Sequence, residues 1–154
     1  MGVEIERKFL VKNETWRSNV VESYFIRQGY LNSDPERTVR IRIKNEKGIL
    51  TIKGKNDNFT RKEFEYEIPY TEACQLIELC QKPIIEKTRY LYYFRGLTWE
   101  IDVFDGDNSG LIIAEVELDN ENQVIDLPDW VGEEVSSDIR YYNSSLINHP
   151  YCEW

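Results

Sequence analysis

Glu4, Glu6 and Lys8 recur at a spacing of two near the start of the chain, with Val3, Ile5 and Phe9 between them. In a strand, that period puts both carboxylates and the ammonium on one face and the apolar residues on the other. Two acids and a lysine aligned in this way can hold a divalent cation and a phosphate side by side. An ordinary strand with one solvated, charged face would show the same pattern, so the segment alone leaves both readings open.

The alternation returns along the chain. Arg40, Arg42 and Lys44 oppose Val39, Ile41 and Ile43, and Thr51, Lys53 and Lys55 oppose Leu50 and Ile52. Arg61, Glu63, Glu65 and Glu67 oppose Phe64, Tyr66 and Ile68. Glu100 and Asp102 oppose Trp99, Ile101 and Val103, Glu115 and Glu117 oppose Ala114, Val116 and Leu118, and Lys87 and Arg89 share a face. A sheet wet on one side would also alternate, but its wet face usually mixes polar types. Here the signs are sorted by strand, and like charges on one face repel unless counter-charges or a ligand offset them. Basic strands facing acidic ones across a lumen, or a bound metal–anion complex, would relieve this. Both point to a closed antiparallel barrel with a charged, water-filled interior and outward apolar faces covered by helices.

The elements that must position these residues follow from the same periodicity. Strands are expected at 3–11, 24–31, 38–44, 49–55, 60–68, 87–95, 98–104 and 111–119. Turn chemistry at Asn45-Glu46-Lys47-Gly48, Asn56-Asp57-Asn58 and Arg95-Gly96 suggests hairpins. A helix is expected over 71–82, with Ala73, Leu76, Ile77 and Cys80 on one face, Thr71 as its cap and Pro83 ending it. A second helix follows Thr15 and a short third one lies near 144–148. The fold class is α+β: an eight-stranded antiparallel barrel with helices packed outside, forming a single domain over 1–154.

Composition narrows the chemistry. The 154 residues are 31% charged and 41% hydrophobic, with a formal net charge of -9. That charge argues against general nucleic-acid or anionic-membrane partners, while a local basic pocket can still hold an anion. No apolar run approaches the ~20 residues of a membrane helix, and charged Glu4, Glu6, Arg7 and Lys8 stand where a signal peptide would turn apolar. Cys74, Cys80 and Cys152 fit no zinc spacing and read as reduced thiols of a cytoplasmic protein. The sole histidine, His149, reads as an exposed tail residue. Any metal site must then be built from oxygen, which favours Mg²⁺ or Mn²⁺, and a Ser-His-Asp or Cys-His mechanism is disfavoured.

A lumen carrying Lys8, Arg40, Arg42, Lys53, Lys87 and Arg89, with Arg61 beside them, has more phosphate donors than one phosphate needs and suits a tri- or polyphosphate. Glu4, Glu6, Asp102, Glu115 and Glu117 suit one or two hard cations bridging its oxygens. Phosphoryl transfer asks mainly for positioning and charge neutralisation, so a metal-dependent hydrolase of a linear triphosphate follows. There is no P-loop sequence.

Glu4-Ile5-Glu6-Arg7-Lys8 resembles the ExExK signature of the triphosphate tunnel metalloenzymes, or CYTH domain proteins. Gln28-Gly29-Tyr30-Leu31, Val39-Arg40-Ile41-Arg42, Leu50-Thr51-Ile52-Lys53, Glu86-Lys87-Thr88-Arg89, Trp99-Glu100-Ile101-Asp102 and Ala114-Glu115-Val116-Glu117-Leu118 look like family blocks in family order. So does the tail Val131-Gly132-Glu133-Glu134-Val135 with Asp138 and Tyr141. The resemblance implies an eight-stranded tunnel acting on triphosphates, with Lys8, Arg40, Arg42, Lys53 and Arg89 as phosphate binders. It implies Glu4, Glu6 and Glu115 or Glu117 as metal ligands, with Asp102 a further candidate. In short bacterial members, a lysine and a tyrosine matching Lys87 and Tyr30 look like a water-activating pair. Simple phosphate contact for Lys87 and a buried aromatic role for Tyr30 stand beside that reading.

The expected activity is cleavage of inorganic tripolyphosphate to pyrophosphate and phosphate, with a small-molecule substrate and a homodimer compatible with the sequence. An adenylate cyclase, a thiamine or nucleoside triphosphatase, and a polyphosphate-binding module without turnover are the competing readings. The acid set weighs against the last.

Overall fold

The structure is a computed structural model that describes residues 2–57 and 60–154. Asn58 of the expected turn lies outside the described residues. Eight strands are hydrogen-bonded in the order β5-β4-β3-β2-β6-β7-β8-β1. They are β1 (Val3–Val11), β2 (Glu22–Asn32), β3 (Arg37–Lys44), β4 (Lys47–Gly54), β5 (Thr60–Ile68), β6 (Ile85–Phe94), β7 (Leu97–Phe104) and β8 (Ile112–Glu117). All neighbours are antiparallel. Pairing of Val3, Glu4 and Ile5 with Lys62, Arg61 and Thr60 joins β1 back to β5 and closes the barrel. The Arg95-Gly96 hairpin takes positive φ at both residues, 47° and 82°, the geometry that matches strand twist.

Closure uses only the first part of β1. A ninth strand, β9 (Val131–Glu134), pairs with β1 at Phe9 and Val11. It was not expected, because its four residues carry no alternation that marks a strand.

Inside and outside are divided as the period-two pattern requires. The inward positions are ionic along most of the lumen, so the apolar faces point out and need cover. One outer cluster joins Phe9, Trp99, Ile101, Ala114 and Val116 to Trp16 and Trp130. Trp16 lies in a 3-10 helix, Thr15–Asn19, at the place of the second expected helix. A second outer cluster packs α1 (Tyr70–Leu79) on β2–β4 through Ala73, Ile77 and Cys80 against Ile41 and Ile43. The helix stops three residues short of the expected end, because Cys80 is already extended. Thr71 lies within the first turn, Pro69 holds the capping position, and no side chain caps the helix.

The third cluster closes one end of the lumen. Leu10, Tyr30, Ile85, Phe104 and Ile113 continue the inward rows of their strands, and they meet Val135, Tyr141, Leu146 and Ile147. These last residues belong to a C-terminal segment with a 3-10 helix, Ile139–Tyr141, and α2 (Asn143–Leu146), close to the short helix expected there.

Two glycines set how closely α1 approaches the barrel. A Cβ on Gly48 would lie 2.6 Å from the Ala73 Cβ and 3.1 Å from the Ile68 carbonyl oxygen, and one on Gly29 would lie 2.7 Å from the Cys80 Cβ. Gly48→Ala is therefore expected to cost about 1–3 kcal/mol through overpacking, read as a lowered thermal midpoint. Combining it with Ala73→Gly should cost less than the sum of the two single changes. Strict additivity would mean that the contact does not limit helix docking.

Candidate active site

The lumen encloses a cavity of about 240 Å³ lined by side chains from β1 to β8 and by Asn143 of α2. Its walls differ in charge. β3, β4 and β6 contribute Arg40, Arg42, Lys53, Lys87 and Arg89, whereas β1, β7 and β8 contribute Glu4, Glu6, Glu100, Glu115 and Glu117.

Where the walls meet, opposite charges pair. Lys53 Nζ donates to both Glu4 oxygens at 2.9 and 3.0 Å, and Arg61 stands 3.6 Å from the same carboxylate. Lys8 Nζ lies 3.1 Å from Glu115. Asp102 is buried between two cations: Arg89 donates to it at 2.7 and 2.8 Å, and Lys87 Nζ lies 2.7 Å from Oδ2. These contacts hold the Asp102 carboxyl well below the usual range against the opposing effect of burial, and Arg89 is raised in turn.

The remaining charges are not all balanced. Glu6 stands directly opposite Glu117 in the β1–β8 ladder; Glu115 stands opposite Glu100 in the β7–β8 ladder, but Lys8 and Arg89 answer Glu115 and, against burial, hold it below the usual range, and Arg89 answers Glu100. Like charges in cross-strand positions are destabilising. Burial, with Glu115 and Glu4 nearby, pushes Glu6 up to about 8, and Glu117 is raised by burial and by Glu4 and Glu100. Burial also lowers Lys87 to about 7, with Arg89 and Arg42 adding to the effect and Asp102 opposing it. Arg42 is lowered to about 9 by burial and by Arg40 and Arg89, so it stays charged at neutral pH. Its Nε donates to Gln28 Oε1 at 2.7 Å.

The expected residues therefore gather in one cavity, with one exception. Asp102 does not line the cavity; it lies behind the wall, with both oxygens engaged by Lys87 and Arg89. Arg40 donates to Thr51 Oγ1 at 3.0 Å and reaches Glu65 at 3.6 Å. Lys53 also lies 3.6 Å from Glu63. Tyr30 is buried at the closed end and lines the cavity. Among the residues that sequence reasoning left out of the site are Glu100 and Asn143, which line the cavity, and Gln28, which is buried and bonded to Asn143 and Arg42. Glu100 shares the inward face of β7 with Asp102 and was visible in that alternation. Gln28 sits in a recognised block but carries no charge. Asn143 gave no signal, because no periodicity links the C-terminal segment to the lumen.

For a divalent cation, the donor chemistry fits. The acids offer oxygen alone, and Glu6 and Glu117, which face each other without a salt bridge among the described residues, are where a hard cation would add the missing positive charge. Among the described residues no three carboxylates form a ready-made cluster. Glu4 and Glu115 are held by Lys53 and Lys8, and an ion would compete with these lysines for them.

A closed antiparallel barrel with an ionic lumen, basic on one side and acidic on the other, is chemically suited to an anion with its counter-cation. Residues 2–151 match the CYTH domain, and the chain belongs to that family. It is 50% identical over 152 residues to the inorganic triphosphatase of Acetivibrio thermocellus, covering 98% of this chain and 97% of the relative. It is 36% identical over 148 residues to the inorganic triphosphatase of Nitrosomonas europaea, covering 93% and 95%. A crystal structure of an inorganic triphosphatase superposes with a TM-score of 0.68 at 35% identity, covering 94% of this chain and 97% of that one. Among the described residues no helix is long and apolar enough to cross a membrane.

A carboxyl whose pKa is raised by folding weakens the fold as pH climbs from its unfolded value, near 4.5 here, to its folded one. Glu6→Gln is therefore expected to raise the thermal midpoint of the metal-free protein at pH 8. The two midpoints should converge as pH falls to 4.5, where the carboxyl is protonated in the folded state. Equal midpoints at pH 8 would mean that burial and the neighbouring acids do not destabilise the Glu6 carboxylate.

Proposed function

We propose that this protein is a metal-dependent inorganic triphosphatase that cleaves tripolyphosphate to pyrophosphate and phosphate. The observation that carries this reading is the gathering in one small cavity of the acids Glu4, Glu6, Glu115 and Glu117, of which Glu6 and Glu117 face each other with no salt bridge among the described residues, beside the crowded cations Arg40 and Arg42. A metal-bound polyphosphate answers both demands at once. The relatives named inorganic triphosphatase support the choice of substrate. So does the cavity, which at about 240 Å³ falls below the roughly 300–1,000 Å³ of sites for drug-sized ligands. A nucleotide would have to leave its base and sugar outside.

In this reading Arg40, Arg42 and Arg89 offer planar forks, and Lys8, Lys53 and Arg61 further positive charge, to the phosphate oxygens. Glu4, Glu6, Glu115 and Glu117 hold Mg²⁺ or Mn²⁺, and Glu100 adds charge to the same wall. A cation held there would neutralise charge on the phosphate oxygens. Asp102 serves as counter-ion to Lys87 and Arg89 rather than as a metal ligand. Lys87, whose pKa lies near 7, takes a proton from the attacking water. The water oxygen bonds to the terminal phosphorus, the bridging P–O bond breaks, and pyrophosphate leaves with the bond's electrons. The Tyr30 hydroxyl lines the same end of the cavity and helps orient that water.

Phosphate release should be measured from tripolyphosphate, ATP and thiamine triphosphate in parallel, with Mg²⁺, Mn²⁺ or EDTA. Metal-dependent release chiefly from tripolyphosphate is expected, and cyclic AMP from ATP or binding without turnover would overturn the reading. Turnover should rise with pH through about 7 as Lys87 loses its proton. Lys87→Ala should lose at least about a hundredfold in kcat, whereas Lys53→Ala should act mainly on KM.

A further inference from the structure

The Lys87 amine is held from two sides. Its Nζ lies 2.7 Å from Asp102 Oδ2 on β7 and donates to Asn143 Oδ1 on α2 at 2.9 Å. The side chain is 1% exposed and passes near the Phe104 ring, with Nζ 5.3 Å from the ring centroid. A neutral lysine amine has two N–H bonds and one lone pair in a tetrahedral arrangement. Two acceptors fix both N–H directions, and the remaining direction belongs to the lone pair.

Asn143 is itself fixed. Its Oδ1 also accepts from Gln28 Nε2 at 2.9 Å, and Gln28 Oε1 accepts from Arg42 Nε at 2.7 Å. Two donors converging on one oxygen decide which way the amide faces. The chain Arg42–Gln28–Asn143–Lys87 thus runs from the basic wall to the C-terminal segment and back. The barrel alone supplies Lys87 with one acceptor; the second comes from outside the barrel.

We infer that Asn143 is a positioning residue for the hydrolytic reaction: with Asp102 it occupies both N–H groups of the neutral Lys87 amine and turns its lone pair toward the substrate water. The C-terminal segment is then part of the catalytic apparatus as well as a seal. This rests on Lys87 acting as the base. A 1 Å error in the placement of a reacting group can cost about a hundredfold in rate, so a short, doubly anchored contact has leverage.

The test compares Asn143→Leu, which keeps size but removes the acceptor, with Asn143→Asp, which keeps an acceptor oxygen, and with Asn143→Ala. Steady-state kinetics on tripolyphosphate are read beside thermal midpoints, and Lys87→Ala is run in parallel. Expected are a fall in kcat of about ten- to a hundredfold for Leu and Ala with little change in KM, and partial recovery in Asp. If Leu does not fold, the Ala–Asp comparison carries the test. Wild-type kcat in folded Leu or Ala, or a loss confined to KM or to stability, would overturn the inference. An active Lys87→Ala would instead remove the base reading beneath it, whereas an inactive one beside an unimpaired Asn143→Ala would remove this inference alone.

Discussion

The buried cluster of Asp102 with Lys87 and Arg89 is the interaction on which the lumen depends. Two cations crowd together on one wall of the lumen, and a carboxylate behind that wall holds them there. Breaking a buried ionic pair by removing one partner typically costs about 3–5 kcal/mol, because a charge is left without an answer. Here one residue answers two. Asp102 thereby keeps Arg89 charged and extended toward Glu100 and Glu115, at 3.3 and 3.4 Å. At the same time Lys87 stays poorly solvated, with Arg89 and Arg42 close, so that it gives up its proton near neutral pH.

An ionic lumen inverts the usual plan of a small domain. The interior of an eight-stranded barrel is just wide enough for side chains to fill it, and most of that space is spent on long charged residues. The apolar burial that stabilises the fold must then come from the outer faces, where α1, Trp16 and Trp130 cover them, and from the closed end. Gly29 and Gly48 belong to this solution, since they let α1 lie close enough to exclude water from Ile41 and Ile43. Function and stability are thus drawn from opposite faces of the same strands.

That division is why so much was legible in the sequence. The periods of β1 and β5 mark their limits, 3–11 and 60–68, and the sorting of charge by strand requires a lumen. What was hidden depends on partners distant in sequence. β9 owes its strand conformation to the edge of β1 that β5 leaves unpaired, not to its own four residues. The cap expected at Thr71 is displaced because Pro69 begins the helix two residues earlier. Asp102 and Glu100 share a face of β7, and alternation cannot tell which reaches the cavity; that is decided by Lys87 and Arg89, which engage Asp102 behind the wall. Asn143 is silent in any periodic reading, because it reaches the lumen from a short helix that is not part of the barrel.

The two walls also explain why neither half of the ligand suffices alone. A bare polyphosphate would satisfy Arg40 and Arg42 but draw Lys8 and Lys53 from Glu115 and Glu4, leaving these carboxylates without counter-charge in the same cavity as Glu6 and Glu117. A cation alone would satisfy the acids but release the same two lysines beside an already crowded set of arginines. In the proposed reaction each would offset the charge that the other exposes, and Lys8 and Lys53 would couple the two with positive linkage.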